Sequence, residues 1–199
     1  IQKGHERALE SGSSFKDSFS LVREFRETNN NTPIVFMGYM NTFESLGAEL
    51  FMKEAFESGL DGILIVDMPP EESSDFSNQA KKVGIDIIRL IAPTTSSNRA
   101  KKICAQCTGY VYYISVKGIT GASNIDSNEV KRKVSELRKH TDLPIAIGFG
   151  IKDAPSASSV MDVGDGIVAG SVFVDLIGEG DKIIEKIASK TKELYEVLK

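Results

Sequence analysis

The chain has 199 residues, of which 41% are apolar and 26% are charged, a composition typical of a folded domain rather than of a disordered segment. Lysine and arginine total 24 against 28 aspartates and glutamates, so the formal net charge is −4 and no basic stripe favours nucleic-acid binding. No apolar run approaches the roughly 20 residues of a membrane-spanning helix. Two cysteines exclude a disulfide-rich scaffold, which favours a reducing, cytoplasmic setting.

Six short apolar runs predict strands, at 34–38, 63–67, 87–92, 110–115, 145–148 and 166–169. Because these runs are continuous rather than alternating, they are typical of strands covered on both faces, as in a parallel sheet. Amphipathic stretches between them predict helices, and residues 183–198 predict a C-terminal helix. The alternation of strand and helix predicts one α/β domain over residues 1–199.

Two architectures fit this alternation, a doubly wound open sheet and a (β/α)₈ barrel of the TIM type. A dinucleotide-binding doubly wound sheet carries a glycine-rich turn after its first strand, and residues 35–41 contain no such turn. The glycines that resemble ligand contacts come after the fourth, fifth and sixth predicted strands instead. Because barrel enzymes bind phosphate after their last two strands, this placement favours the barrel.

The length of the chain predicts an incomplete barrel. A complete barrel needs about 250 residues, or roughly 31 for each of its eight units. The six predicted units would therefore be the last six, with two units of on the order of 60 residues expected ahead of Ile1. Residues 1–10 would then be the end of the region that follows the second strand, and both edges of the sheet would lie open.

Two glycine-containing segments, 148–151 and 168–171, follow the fifth and sixth predicted strands. Glycine lets backbone N–H groups approach an anion closely, and a helix starting near Ser171 would add its dipole. Together they predict a phosphate site, although glycines that only form tight turns remain an alternative. The loop 116–121 predicts a lid in which Gly121 contacts phosphate, with a plain surface loop as its alternative.

Three further features of the sequence bear on chemistry. Tyr112 shares a strand face with Tyr110 and lies nearer the carboxyl end, where a phenol could contact substrate or orient a carboxylate. Asp67 ends a predicted strand and is either an acid or base, or a hydrogen-bond acceptor that organises the loop. Cys104 and Cys107 have redox-motif spacing but lie towards a helix end, so we expect inert thiols and no metal site.

In their order and spacing, these segments resemble the tryptophan synthase α subunit family over essentially all 199 residues. The resemblance is carried by the segments 67–73, 109–112, 118–121, 148–151 and 169–171. It implies a barrel lyase that cleaves indole-3-glycerol phosphate to indole and glyceraldehyde-3-phosphate. It also implies a cytoplasmic heterotetramer, in which indole passes to a β subunit that carries pyridoxal phosphate, and no cofactor in this chain.

The family pattern also assigns roles to individual residues. It implies that phosphate is bound by a set of backbone and hydroxyl groups at Gly121, Gly150, Gly170 and Ser171. It places Tyr112 beside the catalytic carboxylates, and it surrounds the indole ring with Met37, Leu64 and Phe149. The carboxylates themselves, a glutamate ending the second strand and an aspartate on the next loop, are expected ahead of Ile1. Val116 departs from the basic residue that many relatives carry.

Three other functions fit the same residues. The chain could be a catalytically impaired module that only binds and activates a partner. It could be another phosphate-binding barrel, such as a synthase or isomerase, but that chemistry calls for a lysine at a strand end, which the predicted strands lack. It could also be a scaffold without a ligand.

Overall fold

Six parallel strands form a sheet in the computed structural model, which describes residues 1–115, 127–148 and 150–199. The strands are Val35–Gly38 (β1), Gly62–Ile65 (β2), Asp86–Ile91 (β3), Val111–Ile114 (β4), Ile145–Gly148 (β5) and Gly166–Val168 (β6). Each begins within a residue or two of a predicted apolar run. The second strand ends at Ile65, so Asp67 lies in the following loop rather than at the strand end.

Helices precede the sheet, separate its strands and follow it. Before β1 lie Gln2–Glu10 (α1) and Phe15–Arg26 (α2). Between strands lie Met40–Glu44 (α3), Ala48–Ser58 (α4), Ser74–Val83 (α5), Ser97–Cys104 (α6), Ser127–Leu137 (α7) and Ala154–Met161 (α8). After β6 lie Ser171–Glu179 (α9) and Ile183–Val197 (α10). A separate 3₁₀ turn at Pro70–Glu72 holds Glu71 and Glu72, ahead of α5.

The strand order excludes the doubly wound alternative. The strands lie side by side in chain order, β1 to β6, and every neighbouring pair is parallel. A doubly wound sheet reverses direction at a switch point, whereas this sheet is wound in one direction throughout. Crossovers between parallel strands are almost always right-handed, so sequential winding places all the helices on one side of the sheet.

The sheet curls around a small inner cluster of side chains. Leu64, Ile88 and Tyr112 form a small buried cluster on the face opposite the helices. Val35 of β1 and Val168 of β6, from opposite edges of the sheet, both pack against this cluster. Strands spaced about 4.8 Å apart would put those edges about 24 Å apart in a flat sheet. The Arg7 side chain of α1, ahead of β1, nonetheless reaches the Val174 carbonyl of α9, after β6, so the six strands form a half-barrel.

The outer face of the sheet carries two larger cores beneath the helices. One lies under the first helices and contains a group of six phenylalanines, Phe15, Phe19, Phe36, Phe43, Phe51 and Phe76. The other lies under α6 to α8 and includes Tyr113, Leu137 and Ile147. Because both faces of the central strands are covered, their continuous apolar runs are explained. Within the described ranges, no helix is long and apolar enough to cross a membrane.

Candidate active site

The carboxyl ends of β5 and β6 bring two glycine-containing segments together. Gly148 is the register partner of Val168, so the chain leaves both strands at the same level. Gly150 has a φ of 79°, a backbone conformation that favours glycine, and α9 begins at Ser171 directly after Gly170. A Cβ atom added at Gly150 or Gly170 would meet no atom of the described residues within 4 Å, so both positions can accommodate a ligand next to the backbone.

This juxtaposition has the features of an anion site. Ser171 is exposed at the first position of α9, where the free N–H groups of a helix point outward. The partial positive charge of the helix N-terminus favours an anion placed there. The structure thus brings Gly150, Gly170 and Ser171 to one end of the sheet.

Tyr112 lies on the inner face and packs directly against the neighbouring strand. Its side chain is 8% exposed, and a Cβ at Gly148 would come within 2.2 Å of its hydroxyl oxygen. Burial raises the pKa of the Tyr112 phenol, and the neighbouring Tyr110 raises it further. The hydroxyl therefore stays neutral at physiological pH and can both donate and accept a hydrogen bond.

The apolar residues expected around an indole ring lie on the same face. Leu64 is buried in one cluster with Tyr112, and Met37 is the register partner of Leu64 on β1. The Met37 side chain is 59% exposed, so it offers apolar surface beside Leu64. Gly121 and Phe149, like the predicted lid at 116–121, lie outside the described residues.

Asp67 has a structural partner. Its carboxylate accepts a hydrogen bond of 2.7 Å from the backbone N–H of Met40, the first residue of α3. This contact joins the loop after β2 to the segment after β1. The structure therefore agrees with the loop-organising interpretation of Asp67.

Sequence reasoning did not single out Ser115. Its hydroxyl and its backbone N–H both donate to the Gly148 carbonyl oxygen, each at 2.9 Å, and the residue is 5% exposed. The contact ties the end of β4 to the end of β5, where the first glycine segment begins. A polar residue closing an otherwise apolar run was the only signal in the sequence.

Arg89 was also missed, although it interrupts an apolar run. It lies within β3, is 4% exposed, and donates to the Met68 carbonyl and the Ser77 hydroxyl. Its Nε has no hydrogen-bond partner within the described residues, and burial lowers the pKa of the guanidinium. Arg89 borders a cleft of about 450 Å³ beside the loop that follows β2.

The cysteines do not resemble a redox or metal site. Cys104 is the last residue of α6, and both thiols are free and buried. Burial raises the pKa of the Cys107 thiol to about 12, so it remains protonated. In the part of the chain that the structure describes, no three histidines, cysteines or acidic residues lie close enough together to hold a metal ion.

These features define a class of protein, a sequentially wound parallel α/β half-barrel with its candidate site at the carboxyl ends of the last strands. A family model described as the tryptophan synthase alpha chain matches residues 1–199. The chain belongs to the tryptophan synthase alpha chain family.

Individual relatives agree with the family match. The tryptophan synthase alpha chain of Paraburkholderia phytofirmans is 46% identical over 200 aligned residues, which cover 100% of this chain and 74% of the relative. That of Thiobacillus denitrificans is 46% identical over 89% of this chain and 65% of its own length. This chain therefore spans about two thirds to three quarters of these relatives.

A solved structure supports the fold. A chain of the tryptophan synthase α2β2 complex of Pyrococcus furiosus matches with a TM-score of 0.89 at 36% identity, over 98% of this chain and 79% of that chain. The match confirms the α/β half-barrel of parallel strands. The family is one of carbon–carbon lyases, and its alpha chains carry no cofactor because pyridoxal phosphate belongs to the β subunit.

Proposed function

We propose that this chain supplies the phosphate-binding and indole-facing part of a lyase that cleaves indole-3-glycerol phosphate to indole and glyceraldehyde-3-phosphate. In this reaction the bond between the indole ring carbon and the glycerol chain breaks. The ring carbon gains a proton, and the adjacent glycerol hydroxyl loses one as it becomes the aldehyde. The acid and base would be the two carboxylates that the family pattern places at the end of the second barrel strand and on the loop after it.

The described residues would hold the two ends of this substrate. Gly150, Gly170 and Ser171 would bind the phosphate through backbone N–H groups and the Ser171 hydroxyl, with Gly121 closing over it. Leu64, Met37 and Phe149 would line the indole ring. Tyr112 would orient a catalytic carboxylate through its neutral hydroxyl.

One observation carries this proposal, the register of β5 and β6. Because Gly148 pairs with Val168, the two glycine segments leave the sheet side by side, and α9 begins directly after Gly170 of the second segment. The inner cluster of Leu64 and Tyr112 lies on the face that a barrel encloses. A phosphorylated aromatic substrate needs both features at one end of the sheet.

The proposal extends to architecture, partner and location. The six strands would correspond to the last six of an eight-stranded barrel within one domain, residues 1–199. Six units of eight are three quarters, in line with the 79% of the Pyrococcus furiosus chain that is covered. The partner would be a β subunit with pyridoxal phosphate, in a cytoplasmic heterotetramer. The free, buried thiols suit a reducing compartment.

A charge placed at the start of α9 tests the phosphate site. Ser171→Asp should weaken the binding of indole-3-glycerol phosphate by at least about tenfold, because a carboxylate would repel the phosphate dianion at close range. The dissociation constant is measured by calorimetry on the intact chain. Ser74→Asp is the matched control, since Ser74 is also the exposed first residue of a helix, α5, away from the site.

The alternatives make different predictions for binding. A partner-activating module would stimulate the β subunit without binding indole-3-glycerol phosphate. A different phosphate-binding barrel would bind carboxyphenylamino-deoxyribulose phosphate instead. Equal dissociation constants for Ser171→Asp and Ser74→Asp would contradict the proposed phosphate site.

A further inference from the structure

Helix α1, which lies ahead of the first strand, contacts α9, which follows the last strand. The guanidinium of Arg7 donates from Nη2 to the Val174 carbonyl oxygen at 3.2 Å. Gly178 lies under the same guanidinium, since a Cβ there would come within 2.9 Å of Nη2. Gly4 lies against Val174, where a Cβ would come within 2.7 Å of the valine Cγ1. Two glycines therefore allow a close contact between the helices.

The contact acts on the first turn of α9. The Gly170 carbonyl accepts hydrogen bonds from the N–H groups of Phe173 and Val174, at 3.0 and 3.2 Å. The N–H of Val174 thus closes the turn that begins at Ser171. Arg7 donates to the carbonyl oxygen of the same Val174. With a rise of about 1.5 Å per residue, Val174 lies about 4.5 Å along the helix from Ser171.

We propose that Arg7 is a positioning residue that holds the N-terminus of α9 against the end of β6 for phosphate binding. The inference rests on the proposed function, because it needs the phosphate to bind at Gly170 and Ser171. Arg7 acts through Val174 rather than on the ligand. Its charge is exposed to solvent and screened, so the hydrogen bond and the packing over Gly178 carry the effect.

The test measures phosphate and indole binding separately on the intact chain. Inorganic phosphate is titrated by ³¹P NMR and indole by calorimetry. Arg7→Ala should weaken phosphate binding about three- to tenfold, which corresponds to the loss of one ordinary hydrogen bond, and leave indole binding within about twofold. Arg7→Lys, which keeps a donor within reach of the Val174 carbonyl, should recover most of the phosphate affinity.

Two further variants separate the contact from the charge. Lys3→Ala removes a positive charge from the same helix, and Lys3 makes no hydrogen bond or ion pair to the described residues of α9, so phosphate binding should stay unchanged. Gly4→Ala places a methyl group against Val174 and should weaken phosphate binding while retaining the charge of Arg7.

The outcomes distinguish this inference from the function on which it rests. If the unmodified chain binds no phosphate, both the proposed site and the role of Arg7 are wrong. If it binds phosphate and Arg7→Ala binds equally well, only the role of Arg7 is wrong. Equal losses of phosphate and indole binding would indicate a general structural role and would also overturn the inference.

Discussion

Tyr112 owes its position to the absence of a side chain on the neighbouring strand. A methyl group at Gly148 would overlap the Tyr112 ring, with Cζ only 2.5 Å away, so the ring must shift in a buried site. We predict that Gly148→Ala lowers the free energy of unfolding by about 1–3 kcal/mol and displaces Tyr112. Urea unfolding and near-ultraviolet circular dichroism measure the two effects.

Gly166 provides the matched control for this prediction. It lies one strand away on β6, and a Cβ there would meet no atom of the described part of the chain within 4 Å. Gly166→Ala should therefore change stability by less than about 1 kcal/mol. Equal losses for the two substitutions would show that backbone flexibility, rather than contact with Tyr112, decides the effect.

A buried thiol and a buried phenol make the stability of the protein fall at alkaline pH. The pKa of Cys107 is raised from 9.0 to about 12 by burial, and that of Tyr113 from 10.0 to about 12. Between pH 9 and 12 the unfolded chain loses these protons while the folded chain keeps them, so stability is full below pH 9 and falls as the pH rises. Each group lowers the free energy of unfolding by at most about 1.4 kcal/mol per pH unit.

Cys107→Ala tests the alkaline prediction. The substitution should flatten the fall in unfolding free energy between pH 9 and 10, where Tyr113 does not yet contribute. Urea unfolding at closely spaced pH values measures the slope. A slope that is the same in the variant and in the parent chain would assign the alkaline loss to other groups.

At the scale of elements, Arg26 connects the ends of two helices to the start of the sheet. Its guanidinium donates to the carbonyls of Gly59, Asn29 and Thr32 and pairs with Asp61. We predict that Arg26→Met destabilises the fold by about 2–4 kcal/mol, because several carbonyls lose a charged donor in a part-buried site. Thermal or urea unfolding gives the difference.

Arg23 is the comparison for Arg26 within the same helix. It pairs with Glu54, and the two side chains are 44% and 33% exposed. A single exposed ion pair contributes less than about 1 kcal/mol, so Arg23→Met should have a small effect. Similar losses for both variants would mean that the network around Arg26 adds nothing beyond its ion pair.

The elements themselves could be predicted from local pattern. Continuous apolar runs located the six strands of the described sheet. In the central strands, burial on both faces selects Ile, Val and Leu at successive positions. Hydrogen bonds between residues distant in the sequence leave no such pattern. Nothing in the sequence reveals that Asp67 accepts from Met40, that Ser115 donates to Gly148, or that Arg89 reaches Met68. These contacts depend on register, which local composition does not encode.

At the scale of the molecule, the sheet curls far enough for α1, ahead of the first strand, to touch α9, after the last strand. This closure predicts a disulfide between cysteines placed at Gly4 and Val174, because the Cβ at one position lies next to the Cγ1 at the other. In the oxidised variant, the cross-link would close a loop of about 170 residues and raise stability by about 5 kcal/mol by chain entropy. Non-reducing electrophoresis measures the extent of cross-linking, and thermal unfolding measures the gain in stability.

A shifted pair of cysteines checks the geometry of the closure. Lys3 precedes Gly4 on α1 and points about 100° away around the helix. Cysteines at Lys3 and Val174 should therefore cross-link poorly under the same oxidation. Efficient cross-linking of both pairs would mean that α1 does not sit against α9 in one defined orientation.

The winding direction was predicted from the placement of glycines, and the barrel curvature followed from it. The glycine segments after the last strands separated the barrel from the doubly wound sheet, and the strand order confirmed this choice. The contact of α1 with α9 could not be predicted. Helix α1 contains no buried residue, so its sequence shows no apolar pattern that would indicate its partner.

The sequential strand order also bears on synthesis at the ribosome. Each strand pairs with the one before it, so every emerging unit finds its neighbour already made. The Arg7–Val174 contact is different, since 167 residues separate its partners. Helix α1 therefore cannot form this contact until the residues up to Val174 have been translated.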